Sequence, residues 1–208
     1  MTDQSFALAI EANFDGITQA AFKYRSEHVY PYLESQGISV SMLSGENAVR
    51  QLVIAAATRP EVRYLCGVGH GKENAFCGFE NERIFRSGQY GAEEVRGKVV
   101  HLLSCFTAAD LGGDFIHNGC RAFFGYKEEF AVPFEELSEL DELAESFFGS
   151  DAEIDLAFAD GIPVEQIKER VLQKFDENIA RLYRQGKRET SAVLESNRDM
   201  LIALFVES

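Results

Sequence analysis

Apolar residues recur along this chain with two periods, and the period switches from one stretch to the next. Residues 5–11 (SFALAIE) are a short apolar run, which predicts a strand. Asp15-Gly16 marks a turn. Ile17, Ala20, Ala21, Tyr24, His28 and Tyr32 then fall at three- and four-residue steps, predicting a helix over 17–34 that stops at Gly37. Residues 38–43 (ISVSML) alternate apolar and polar, as an outer strand does. A helix is expected over 46–58, with Ala48, Val49, Leu52, Val53 and Ala56 on one face and Pro60 ending it. Two uninterrupted runs, 62–69 (VRYLCGVG) and 98–104 (KVVHLLS), have the length, β-branched content and flanking glycines of strands buried on both faces. Between them, 74–85 reads as a hairpin around Glu80-Asn81-Glu82, and 87–97 as a loop with a short helix. A helix over 107–117 and a strand over 121–126 (RAFFGY) follow.

Strand and helix alternate to this point, so the pattern predicts an α/β fold with a mostly parallel central sheet and helices on both faces. The last third turns helical. Phe134, Leu137, Leu140, Leu143 and Phe147 form one stripe. A helix is expected from Pro163 to about Gln185, with Val164, Ile167, Val171, Phe175, Ile179 and Leu182 inward, and another over 189–197. Residues 200–206 (MLIALFV) fit either a continuation of that helix or a sixth strand, which periodicity alone does not decide. With no repeat or linker, the reading is one domain over 1–208, an α/β core over 1–130 and a mainly helical part over 131–208.

The net charge of −14 argues against nucleic acid or an anionic membrane surface as partner. No apolar run approaches the ~20 residues of a spanning helix, and the first residues lack a basic, then apolar, leader. Cys66, Cys77, Cys105 and Cys120 show no framework spacing, so they read as reduced thiols in a cytoplasmic protein. Residues 133–160 hold ten carboxylates and no Lys, Arg or His. They read as the solvated side of amphipathic helices, with a docking surface for a basic regulatory protein as the alternative.

The two buried runs end alike: one stops at His70-Gly71, the other at Cys105. Ligands of open α/β sheets bind beyond the carboxyl ends of strands, so adjacent parallel strands would bring an imidazole and a thiol together there. An imidazole lowers a thiol's pKa from about 8.5 and returns the proton to a leaving group. The N–H groups of Gly71 and Cys105 are the candidate oxyanion hole, the first because glycine permits close approach, the second because it lies at a strand-to-helix junction.

The blocks YLCGVGHG and VVHLLSC, followed by TAADLGGDFIHNGCRAFFGY, resemble the caspase-like cysteine peptidases, most of all their CHAT and gingipain-type branch. The likeness covers residues 62–126. It implies a caspase-like sandwich with a sheet of about six strands, and peptide-bond cleavage through a His70–Cys105 dyad and an acyl-enzyme, with no cofactor or metal. Caspases have Gln-Ala-Cys at the nucleophile, where this chain has Leu103-Ser104-Cys105. Several arginine-specific relatives place an acid where Leu103 stands. A basic P1 side chain, that of the residue whose carbonyl is attacked, would then be selected from the loop after the first strand. Glu11, Asn13 and Asp15 are the candidates there, with Ser104 also in reach of substrate.

Other residues point elsewhere. Cys66 and His70 are four apart on a strand, about 13 Å, too far to share a metal. Cys77 reads as a packed thiol or a redox partner of Cys105, and His101, His117 and Cys120 read as structural. The alternatives to a peptidase are a catalytically inactive scaffold or signalling module, and a thiol-based redox or metal-binding protein, which the lack of a Cys-x-x-Cys motif disfavours.

Overall fold

The computed structural model describes residues 5–134 and 137–206; Glu135 and Glu136 of the acidic stretch, and the side chains of Leu137 and Leu140 in the apolar stripe, lie outside the described residues. In chain order, β1 (Phe6–Glu11) is followed by α1 (Gly16–His28), α2 (Tyr30–Ser35), β2 (Ser39–Ser44), α3 (Arg50–Ala57) and β3 (Val62–Val68). Three short strands come next, β4 (His70–Lys72), β5 (Ala75–Cys77) and β6 (Arg83–Arg86), then β7 (Val99–Leu103), α4 (Leu111–His117) and β8 (Ala122–Tyr126). The chain continues through α5 (Leu137–Ala159), α6 (Val164–Arg184) and α7 (Arg188–Met200) into β9 (Leu201–Phe205).

The central sheet runs β2-β1-β3-β7-β8-β9, parallel as far as β8 and antiparallel at β9. Residues 201–205 are therefore a sixth strand. Strand β8 offers a free edge, and an apolar run of this length completes it. Side chains alternate across the sheet. Ala7, Ala9, Tyr64, Cys66 and Phe124 face a core built with α1, α2, α5, α6 and α7. Leu8, Ile10, Leu65, Val100 and Phe123 face a second core with α3, α4 and the small antiparallel sheet β4-β5-β6. No described helix is long and apolar enough to cross a membrane.

Several expectations need correction. The helix expected over 17–34 breaks at Val29, because Pro31 lacks an N–H and its ring crowds the preceding turn. The helix expected over 46–58 covers only 50–57, and it buries Val53 and Ala57 while Leu52 faces solvent. Helix α4 begins at Leu111 rather than 107, since the Ala108 N–H donates to the Tyr126 carbonyl and the Asp110 and Leu111 N–H groups to that of Glu73, which holds 107–110 in a turn.

The acidic stretch is not one solvated face. Asp151 and Asp155 are fully buried and Glu153 nearly so, and several acids of the stretch are paired within the chain. Lys23 reaches Asp141 at 2.7 Å, Lys174 reaches Glu145 at 3.0 Å, and Arg170 bridges Glu153 and Asp160 at 2.5 and 2.6 Å.

Candidate active site

Strands β1, β3 and β7 end at the same edge of the sheet. Strand β2 lies on one side of β1 and β3 on the other, so the winding reverses between β1 and β3. The loop after β1 leads into α1 on one face, and the chain after β3 leads into the small sheet on the other. A crevice opens at such a switch point.

His70 stands at that crevice as the first residue of β4, paired with Cys77 across the hairpin. Two glycines let the hairpin turn back so tightly. A Cβ at Gly69 would overlap the Cys77 carbonyl, and one at Gly71 would overlap the Cys105 carbonyl and Ser104 Oγ. The Gly71 backbone thus lies directly against Ser104-Cys105.

The imidazole is held from the β1 side. Its Nε2 lies 2.5 Å from Asp15 Oδ2, and the Phe14 ring meets it edge-on at 5.6 Å. Asp15 is itself fixed as the N-cap of α1: its Oδ1 accepts from the Thr18 N–H at 3.0 Å, and Thr18 completes a capping box. Burial works to raise the Asp15 pKa, but the Thr18 N–H and the His70 ring outweigh it and hold the carboxyl below its ordinary value. With a carboxylate on Nε2, the neutral ring keeps its proton there and leaves Nδ1 as the acceptor.

Cys105 follows β7 and is partly exposed. Thr107 Oγ1 donates to the Ser104 carbonyl at 3.2 Å, and the Phe106 N–H donates to the Glu128 carbonyl at 3.0 Å, which fixes the turn. The Cys105 N–H lies within hydrogen-bond reach of its own sulfur, at the turn that follows β7. Burial pushes the thiol pKa up and Glu129 adds to the rise, against the pull of the Phe130 and Cys105 N–H groups. His70, Ser104 and Cys105 line one cleft of about 300 Å³. A second groove, reaching Lys72, Cys77 and Arg83, flanks His70 on its other side.

The other expected site residues are distributed differently. Glu11 is fully buried on Arg25 and Tyr30, out of reach of any substrate, and is withdrawn as a selector. Asp15 is likewise committed, to His70. Asn13 sits in the loop at φ +45° and is half-buried. Ser104 borders the cleft with its buried hydroxyl unpartnered. Cys66, Cys77 and Cys120 are buried, and burial pushes the Cys120 thiol up to about 12.

Periodicity gave no sign of a buried ionic chain behind the crevice. Arg25 grips Asp155 through both terminal nitrogens at 2.8 and 3.2 Å and reaches Glu11 at 3.1 Å. His101 lies 3.1 Å from Asp151 and 3.3 Å from Asp155, while Tyr64 and Tyr126 donate to these two aspartates at 2.8 Å. Burial alone would lower the His101 pKa, but the two aspartates raise it to about 9. Burial raises Glu11 to about 7 against the pull of Arg25.

No protein-family model matches this chain, and no curated protein sequence does.

Proposed function

We propose that this chain is a caspase-like cysteine peptidase whose fold is a caspase-like sandwich, with Cys105 as nucleophile and His70 as general base. The observation that carries the reading is His70 and Cys105 lining one cleft beyond adjacent parallel strands, with Asp15 on the far nitrogen of the ring.

In this reading Nδ1 of His70 takes the thiol proton as sulfur attacks the peptide carbonyl. Burial disfavours the free thiolate, so the ring's uptake of the proton as sulfur attacks is what activates the nucleophile. The Gly71 and Cys105 N–H groups receive the oxyanion. Collapse breaks the C–N bond, and His70 returns the proton to the departing amine. Water, deprotonated by the same ring, then hydrolyses the thioester and restores the thiol. Asp15 steadies the imidazolium without becoming protonated.

The test is an electrophilic peptide probe with intact-mass readout. Labelling of the wild type that is lost in both Cys105→Ala and His70→Ala supports the dyad. Labelling that survives His70→Ala unchanged overturns it. The raised thiol also suits the alternative, an inactive scaffold, and a wild-type Cys105 that alkylates no faster than an unfolded thiol at the same pH would favour that reading.

A further inference from the structure

The same cleft carries information about what it would cut. The geometry points to an uncharged, apolar side chain, aliphatic or aromatic, on the residue whose carbonyl Cys105 attacks; this inference rests on the peptidase reading.

Two observations converge on it. The first is what walls the cleft beside Cys105. Ile17 and Ala21 project from α1, Val68 and Leu103 from the ends of β3 and β7, Val132 from the segment after β8, and Phe148 from α5. Ala21, Val68, Leu103 and Phe148 are buried members of the main core, so the cleft is floored by packed apolar structure.

The second is where the acids went. A lysine or arginine needs a carboxylate in the cleft, because a cation moved from water into an apolar site without a partner is strongly disfavoured. Glu11 is sealed inside with Arg25 and Tyr30. Asp15 spends one oxygen on His70 and the other on the Thr18 N–H. Leu103 fills the strand position two before the cysteine. The remaining acid on the lining among the described residues, Glu129, acts on the Cys105 sulfur but is exposed, so water screens the attraction it offers a cation. An acidic side chain fares no better, since the lining includes no Lys or Arg among the described residues.

The experiment uses peptidyl acyloxymethyl ketones that differ only at this position, carrying Leu, Phe, Arg, Lys or Asp, with the rate of Cys105 modification read by intact mass. The Leu and Phe probes should react at least about tenfold faster than the charged ones. Ile17→Asp puts a carboxylate on the wall, in the first turn of α1 where the helix dipole favours an acid. It should move the preference toward Arg and Lys by about tenfold. Val132→Glu repeats the test from the opposite wall should Ile17→Asp fold poorly. Arg or Lys probes matching Leu and Phe on the wild type would overturn the inference while leaving Cys105 as nucleophile. A preference indifferent to both substitutions would remove the side chain from this cleft and overturn it as well. Failure of every probe to modify Cys105 would remove the peptidase reading, and this inference with it.

Discussion

At the scale of single residues, Asp15 does two jobs with one carboxylate, and a conservative change separates them. Asparagine caps helices about as well as aspartate, so Asp15→Asn should leave the thermal midpoint nearly unchanged. It removes the charge facing Nε2, and labelling of Cys105 should slow by roughly tenfold or more, with the slowing read as a change in the pH–rate profile. Phe106 is the other instructive position. A bulky residue in the left-handed region costs about 1–2 kcal/mol, and asparagine tolerates it better. Phe106→Asn should raise the unfolding free energy by about 1 kcal/mol in urea titrations. The places of His70 and Cys105 at strand ends were legible, because an apolar run that stops at a His or Cys announces itself locally. The contact of Asp15 with His70 was not. Its partner is 55 positions away, and only the order of strands brings the loop after β1 to the end of β3.

At the scale of elements, the edges of β3, β7 and the hairpin are set by how closely their backbones approach. Gly71→Ala forces a Cβ into the Cys105 carbonyl, so the hairpin must shift. The expected cost is about 1–3 kcal/mol, with a larger fractional loss of Cys105 labelling than of stability, measured side by side. Strands were read well from sequence because those buried on both faces are continuous apolar runs. Helix limits were read less well. The break at Val29 needed the weight of Pro31, and the short α4 reflects the turn after Cys105 rather than any lapse in apolar spacing. The run over 200–206 became a strand for a reason outside itself, the open edge of β8.

At the scale of the molecule, the buried ionic chain ties the sheet to α1 and α5. His101 and Glu11 both hold their protons to higher pH when folded. A raised pKa gives stability that is complete below the unfolded value and fades as pH climbs through the folded one. For His101 that window runs from about 6.5 to about 9, and for Glu11 from about 4.5 to about 7. Asp155 acts oppositely: burial works against it, but Arg25 and His101 hold its pKa down, so its contribution is lost in acid. The unfolding free energy should therefore fall by roughly 3 kcal/mol or more between pH 6 and 9, and fall again below about pH 4. Urea titrations across that range check both limbs. Arg25→Met removes the cation that Glu11 and Asp155 share, leaves Asp155 facing His101 alone, and should cost about 3–5 kcal/mol. Neither Asp151 nor Asp155 stood out in the sequence, because an acid on a helix looks the same whether its cation is water-borne or sits on another element 130 residues away.

That arrangement bears on how the polypeptide could be divided. The cations Arg25 and His101 lie before residue 130 and their anions Asp151 and Asp155 after it, so the two portions are counter-ions of each other rather than a working unit and its appendage. A fragment ending at 130 should collapse into a loose or insoluble state. A protease nick in the segment between β8 and α5 should leave both pieces clasped together, comigrating on a sizing column until denaturant separates them.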